Sequence, residues 1–248
     1  MQAVSAPAAV FAEAPIAVMK RVEYKYVLNR DQLAKLRLAM AGRMQEDRFG
    51  LTTIASLYYD TPDDRLIRAS MDKPIYKEKL RLRSYGRATE SSPVYLELKR
   101  KYDGTVYKRR IQTTVGEAAA FLRDGQPAPD GQIGRELVAF RDHYRTLVPR
   151  FLILYERTAY FAPGGDLRLT IDRNPRYRTE RLELTGSTEG APLLDDGCVL
   201  LELKVQSAIP LWLSHALSEA GIRKTSFSKC GEAYRRDSFR GRGLQEAS

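Results

Sequence analysis

The stretch that most constrains the fold runs from Val94 to Ile111 and reads VYLELKRKYDGTVYKRRI. Its Asp103-Gly104 pair is a two-residue turn signal, which predicts that the flanking runs pair as an antiparallel hairpin. Because side chains alternate along a strand, the first arm carries one apolar face and one polar face. The second arm places Lys108 and Arg110 together on one face. The hairpin is therefore predicted to pack one face on a core and to crowd the other with cations.

The run before the hairpin, IYKEKLRLRSYG, repeats this pattern. Leu80 and Leu82 form its apolar face, and the other face carries Lys77, Lys79, Arg81 and Arg83. In a single strand, such alternation is typical of a sheet with its core on one side and water on the other. Three neighbouring strands with a basic face are different, because like charges directly opposite each other are destabilising. Phosphate would compensate this repulsion, since Arg and Lys form charge-assisted hydrogen bonds with phosphate oxygens.

The overall charge favours the same kind of partner. Lys and Arg number 41 against 31 Asp and Glu, which gives a net charge of +10 and a pI near 9.6. This balance favours a polyanion, which could be nucleic acid, anionic lipid or a phosphate-rich small molecule. Nucleic acid is the least favoured, because its binding sites interleave aromatic residues with cations. Here Tyr24, Tyr26 and Tyr107 fall on the face opposite most cations.

Length and composition predict one globular domain. The 248 residues can bury a full core, and 43% hydrophobic with 29% charged residues is ordinary for such proteins. No run approaches the roughly 18 apolar residues of a membrane span, so we expect no direct membrane insertion. Cys198 and Cys230 have neither a disulfide framework nor metal-ligand spacing, and we expect reduced thiols and a cytoplasmic location. Residues 1–19 are interpreted as a flexible tail, 20–240 as the domain and 241–248 as a second flexible tail.

Strand and helix signals alternate along the domain. Asn29 is predicted to be an N-cap after the first strand, and Pro163-Gly164-Gly165 marks a second hairpin. About nine strands with antiparallel connections indicate a closed barrel or a tightly curved sheet, since closure removes exposed edges. Several amphipathic helices are available to cover the apolar faces. We therefore predict an α+β fold with helices packed around the outside and the charged faces lining a polar tunnel.

Seven short motifs occur in order along the chain: RVEYK (21–25), SLYYDT (56–61), KLRLR (79–83), LELK (96–99), YER (155–157), LELK (201–204) and SFSK (226–229). No single motif is specific, but the ordered set resembles the VTC polyphosphate polymerase domain. That domain belongs to the triphosphate tunnel metalloenzyme superfamily, together with the CYTH enzymes. The likeness covers nearly everything from about residue 20 to 236. It implies a closed antiparallel barrel of eight strands that binds triphosphate and a divalent metal, Mn²⁺ or Mg²⁺.

The resemblance also implies a set of site residues. Those with a catalytic role would be Arg81, Arg83, Arg157, Arg168 and Lys99. Those that bind phosphate would be Lys25, Lys79, Lys108, Arg110, Tyr155, Lys204 and Lys229. The metal would be held by Glu202 with help from Glu23. Glu97 is better interpreted as a counter-charge that makes the neighbouring cations tolerable.

The implied activity is transfer of the ATP γ-phosphate to a growing inorganic polyphosphate chain. Phosphoryl transfer needs in-line positioning and charge neutralisation, and a ring of cations supplies both. Two alternatives stay open: a metal-dependent hydrolase of triphosphates or polyphosphate, and a non-catalytic polyphosphate-binding module. The CYTH branch has Glu-x-Glu-x-Lys in its first strand, whereas this chain has Arg21 at the first Glu position, which favours the polymerase. The sequence identifies no protein partner.

Overall fold

The structure is a computed structural model that describes residues 12–13, 22–72, 74–206 and 208–245. Most of the predicted N-terminal tail, together with Arg21, lies outside the described residues, as do the last three residues of the predicted C-terminal tail. The described residues form six helices and twelve strands.

Eight of these strands are seven or more residues long: β2 (Val22–Leu28), β4 (Thr52–Asp60), β5 (Tyr76–Tyr85), β6 (Pro93–Tyr102), β7 (Thr105–Thr114), β8 (Val148–Phe161), β9 (Arg168–Arg178) and β11 (Val199–Val205). Four strands have two residues each: β1 (Ala12–Glu13), β3 (Gln45–Glu46), β10 (Ala191–Pro192) and β12 (Lys224–Thr225). The helices are α1 (Arg30–Met40), α2 (Arg65–Met71), α3 (Val115–Asp124), α4 (Gly131–Tyr144), α5 (Leu211–Glu219) and α6 (Lys229–Gln245). The predicted α+β class is confirmed.

All strands belong to one antiparallel sheet, and the prediction of a closed barrel is wrong. The hydrogen-bonded order is β1-β7-β6-β5-β4-β8-β9-β11-β2-β12, with β3 on β8 and β10 on β9. Closure would require β7 to pair with β2, but each of these strands has its outer edge occupied. Ala12–Glu13 pairs with β7, and Lys224–Thr225 pairs with β2. The two short strands supply edge hydrogen bonds locally, so the eight long strands form an open sheet.

The hairpin predicted around Asp103-Gly104 is confirmed. Tyr102 pairs with Thr105 across the turn, and both turn residues have positive φ, 41° and 78°. A type I′ turn requires this geometry at both central positions, and its twist matches that of the flanking strands. The N-cap prediction is also confirmed, because the Asn29 side chain accepts a hydrogen bond from the Gln32 backbone.

The two faces of the sheet pack differently. On one face, α3 and α4 cover the leucines of β5 and β6 together with Ile111 of β7. On the same side, α1 and α5 cover β2, β9 and β11 in a second apolar cluster. The other face is polar along most of its length, and a third cluster covers part of it with α2 and α6. The helices of the first two clusters therefore leave the charged face free to form a site.

Candidate functional site

The polar face of the sheet is concave. Lys99 lies on β6, six strand positions away from Glu23 and Lys25 on β2. In a flat sheet six steps would separate these strands by roughly 29 Å. Nevertheless the charges of Glu23, Lys25 and Lys204 act on the pKa of Lys99, and Lys99 in turn acts on that of Glu23. The sheet must therefore curl until its two halves face each other. We call this concave polar face the groove.

One side of the groove is organised around Glu97, whose side chain is 1% exposed. Arg81 Nε donates to Glu97 Oε2 at 2.7 Å, and Lys108 Nζ lies 2.7 Å from Oε1. Arg83 and Arg110 lie farther away, at 3.9 Å and 3.8 Å. Burial would raise the pKa of Glu97, but Arg81, Arg83 and Lys108 together hold it well below its usual range. One carboxylate thus balances four cations, and we call this set the Glu97 cluster.

The opposite side is organised around Asp172 and Glu202. Asp172 is fully buried and binds Arg157 through two hydrogen bonds of 2.6 Å and 2.7 Å. Lys229 donates to Asp172 and also lies 3.4 Å from Glu202, while Arg157 reaches Glu202 at 3.2 Å. Burial would raise the pKa of Glu202, but Lys229, Lys25 and Arg157 keep it well below its usual value. Glu202 is therefore ionised at neutral pH.

Tyr155 joins the two sides. Its hydroxyl accepts a hydrogen bond of 3.3 Å from Arg83, which also donates to Ser56. The Lys229 ammonium lies 4.4 Å and the Arg157 guanidinium 5.2 Å from the centre of its ring. Burial acts to raise the pKa of Tyr155, but these three cations lower it below its usual value. The phenol is thus a polar group surrounded by positive charge in the middle of the groove.

Helix α6 places Lys229 in the groove, because Lys229 is its first residue. The helix packs against the groove through Cys230 and Ala233 in the third apolar cluster. Farther along, Asp237 binds Arg150 at 2.8 Å, and Arg150 also binds Asp64 at 2.6 Å. These ion pairs connect α6 to β8 and to the start of α2. The position of Lys229 therefore depends on a helix clamped at a second point.

The remaining predicted residues differ in placement. Lys25 lies 3.3 Å from Glu23 and 3.5 Å from Glu202. Lys204 is paired in register with Glu23 on one side and with Arg168 on the other, so all three are on the groove face. Lys79 pairs with Lys99 in register and also lines a small cavity with Cys230. Arg168 is exposed, 5.3 Å from the Phe161 ring, at the end of its strand and apart from the two carboxylate clusters.

Three groove residues were not among the predicted site residues: Ser56, Tyr58 and Asp172. Tyr58 accepts a hydrogen bond of 2.9 Å from Arg81. Both Ser56 and Tyr58 belong to the SLYYDT motif, whose alternation already placed them on one face. Strand alternation placed Asp172 on the same face as Arg168, but its partners Arg157 and Lys229 come from two distant segments of the sequence.

A divalent cation would fit the groove only with help from a ligand. No group of three or more potential metal-ligating residues occurs among the described residues. Mg²⁺, however, is commonly held by one or two carboxylates and by substrate phosphates. Burial and the charge of Glu202 would raise the pKa of Glu23, but Lys25, which lies between the two carboxylates, holds it below its usual value, so a divalent cation would take the place of this ammonium. The donor chemistry of Glu23 and Glu202 thus fits Mg²⁺ or Mn²⁺ in the presence of phosphate.

Lys99 carries a testable electrostatic signature. Burial and the neighbouring cations lower the pKa of this lysine to about 8. A bound phosphate chain would favour the charged form and raise that pKa, so binding is expected to take up protons between about pH 8 and 10. Calorimetry with tripolyphosphate at pH 8.5 in two buffers of different ionisation enthalpy measures this uptake.

In a Lys99→Met variant the proton uptake on binding should fall. The affinity of this variant for tripolyphosphate should also decrease less than that of the unmodified protein as the pH rises through 8. Lys108 is shifted in the same direction, but its side chain is 41% exposed and better screened. We therefore assign most of the uptake to Lys99. An uptake equal in Lys99→Met and in the unmodified protein would contradict this assignment.

Fold and site together define a class: a curved antiparallel sheet with its cations gathered on the concave side. The chain belongs to the VTC domain family, whose model matches residues 20–236. The resemblance of the seven motifs is thereby confirmed. No curated protein sequence matches the chain significantly.

Several solved structures are similar to this chain at low sequence identity, and the first of those described here shares its fold. A "putative adenylate cyclase" from Bacillus halodurans is 16% identical with a TM-score of 0.52, and the match covers 85% of this chain and 96% of that one. A "putative adenylyl cyclase" from Hippeastrum, described with a dominant triphosphatase activity, is 18% identical with a TM-score of 0.49, over 84% and 92%. A further one from Vibrio parahaemolyticus is 13% identical with a TM-score of 0.44, over 86% and 96%. None of the helices in the described part of the chain combines the length and apolarity needed to cross a membrane.

Proposed function

We propose that this protein is a polyphosphate polymerase that transfers the γ-phosphate of ATP to the end of an inorganic polyphosphate chain. The observation that carries the proposal is the convergence of the Glu97 cluster and the Asp172 and Glu202 cluster on Tyr155. Cations from β5, β7, β8 and α6 meet there within hydrogen-bonding or ion-pairing distance of three buried carboxylates. Membership of the VTC family supports a function on phosphate compounds.

The chemistry needs few specialised groups. A terminal phosphate oxygen of the chain attacks the γ-phosphorus, the bond to the β–γ bridging oxygen breaks, and ADP leaves with that bond's electron pair. The attacking oxygen is already anionic at neutral pH, so no side chain has to remove a proton from it. The main requirements are in-line alignment of two polyanions and neutralisation of their mutual repulsion.

The groove residues divide this work. Arg81 and Arg83 would bind the transferred γ-phosphoryl group from the Glu97 side of the groove, and Arg157 would bind it from the opposite side. The charges of these three side chains would stabilise the transition state. Lys25 and Lys99 would orient the triphosphate, and Arg168 with Lys204 would bind phosphates near the end of the strands. Further cations along the groove would bind additional phosphates: Lys79, Lys108, Arg110 and Lys229. A divalent cation, held by Glu202 and Glu23 with phosphate oxygens, would supply further charge neutralisation.

The direct test is incubation of the purified protein with ATP and Mn²⁺ or Mg²⁺. ADP, free phosphate and long phosphate chains are followed together, the last on a polyacrylamide gel. We expect chains to appear with ADP in step. Free phosphate without chains would replace this proposal with triphosphate hydrolysis, and tight binding without turnover would reduce it to a binding module.

A further inference from the structure

We propose that Tyr85, Tyr95 and Arg110 form a base-stacking subsite for the nucleoside part of a nucleoside triphosphate. The inference rests on the proposed function, because it adds a nucleoside to a groove that is proposed to bind a triphosphate. Tyr85 is the last residue of β5, and Tyr95 is near the start of β6. Both are therefore at one end of the groove, beside the Glu97 cluster.

Strand register fixes this placement. Tyr95 pairs with Arg83 on β5 and with Gln112 on β7, so its side chain shares the groove face with the proposed phosphate-binding cations. Tyr85 follows Arg83 by two positions along β5 and points to the same face. A phosphate held by Arg83 would thus have the Tyr95 ring directly opposite on β6 and the Tyr85 ring two residues farther along β5.

The Arg110 guanidinium lies over the Tyr95 ring, and the Tyr85 ring stands edge-on beside that ring. The Arg110 guanidinium carbon lies 3.4 Å from the centre of the Tyr95 ring and 5.6 Å from that of Tyr85. The two rings are 5.7 Å apart at an angle of 78°. Tyr85 is 47% exposed, so part of this surface faces solvent. Nucleobases stack on aromatic rings and on guanidinium planes alike.

Arg110 links this surface to the phosphate cations. Its Nε is 3.8 Å from Glu97, within the cluster that would hold the phosphates. The Nε is buried and makes no hydrogen bond to the described part of the protein. One side chain thus offers a charged edge toward the phosphates and a flat face toward the base, which matches the two parts of a nucleotide.

The subsite should favour nucleotides over inorganic phosphate chains and be tolerant of base identity. Every base has a π face, so stacking alone does not distinguish ATP from GTP or CTP. The exposed Gln112 beside Tyr95 adds one amide that can donate to or accept from a base edge. We therefore expect similar affinities for the three nucleotides, and each should bind more tightly than tripolyphosphate.

The test compares Tyr85→Leu with the unmodified protein by titration calorimetry. The variant should raise the Kd for ATP about tenfold, the effect of losing one base–aromatic stack. Its Kd for tripolyphosphate, which has no base, should stay unchanged. Tyr102→Leu is the matched control: Tyr102 is similarly exposed on the neighbouring strand β6 but faces away from the groove, and neither Kd should change.

The outcomes separate this inference from the proposed function. Unchanged ATP affinity in Tyr85→Leu, or an equal loss for ATP and tripolyphosphate, overturns the subsite while triphosphate binding stands. If the unmodified protein binds neither ligand, the phosphate-binding groove itself is wrong and the subsite with it. A selective loss for ATP, repeated with GTP and CTP, supports the subsite.

Discussion

Replacing Arg83 with alanine is expected to abolish conversion of ATP into polyphosphate while the protein stays folded. Arg83 is 7% exposed, and its guanidinium contacts Ser56, Tyr155 and the edge of Glu97. Arg83 therefore lies between the Glu97 cluster and the side of the groove that is organised around Asp172 and Glu202. Removal of one preorganised donor to a developing charge typically lowers kcat by about 10²- to 10³-fold. The measurement is kcat from ADP release, with thermal unfolding followed by circular dichroism.

Arg135→Ala is the matched control for this variant. It makes the same chemical change on an exposed position of α4, away from the groove, and both kcat and the melting temperature should be retained. Loss of cooperative unfolding in Arg83→Ala would assign the residue a structural role. An unchanged kcat with intact folding would remove it from the catalytic set.

Replacing Glu97 with glutamine is expected to lower the free energy of unfolding by roughly 3 kcal/mol. Removal of one partner from a buried ion-pair network leaves the other charges uncompensated, and such losses are of this order. The carboxylate balances Arg81, Arg83, Lys108 and Arg110, so its neutral amide would leave their repulsion unopposed. Urea unfolding monitored by circular dichroism measures the change.

Two further readouts identify the cause. The folded-state pKa of Glu97 is below the usual 4.5, so its contribution to stability is present above about pH 4.5 and is lost as the pH falls. The difference in the free energy of unfolding between Glu97→Gln and the unmodified protein should therefore decrease as the pH is lowered. Tripolyphosphate should restore part of the melting temperature of Glu97→Gln, since an anion can replace the lost charge.

Glu90→Gln, at an exposed position of the loop before β6, should change none of these quantities. If Glu97→Gln is as stable as the unmodified protein, the carboxylate is not the counter-charge of the cluster. Destabilisation that is insensitive to both pH and tripolyphosphate would point to a packing defect instead.

The two faces of the sheet were predictable because the pleat is a local property. Alternation in β5, β6 and β7 separates Leu80, Leu82 and Ile111 from the cations within a few residues of sequence, and the Asp103-Gly104 turn sets the register between two of these strands. Each of these inferences needs information from only one short segment.

Closure and the Asp172 contacts were not predictable in this way. Whether a sheet closes depends on what pairs with its outermost strands. Here strands of two residues pair with them, and two residues are too few to show the alternation that identifies a strand in the sequence. Arg157 faces Asp172 because a register shift between Leu154 and Glu156 realigns β8 with β9. Irregularities of this kind depend on packing across the whole sheet, which no single segment encodes.

The short edge strands have a mechanical consequence for a long, linear ligand. A sheet that is closed by hydrogen bonds has a fixed circumference, and a polymer can enter it only through one of its ends. Here the two rims of the groove are separate edges, each covered by a strand of two residues. Parting the rims would leave the ladders between the eight long strands unbroken. Under the proposed function, a phosphate chain of any length could then enter the groove from the side and leave it sideways at any point of its growth.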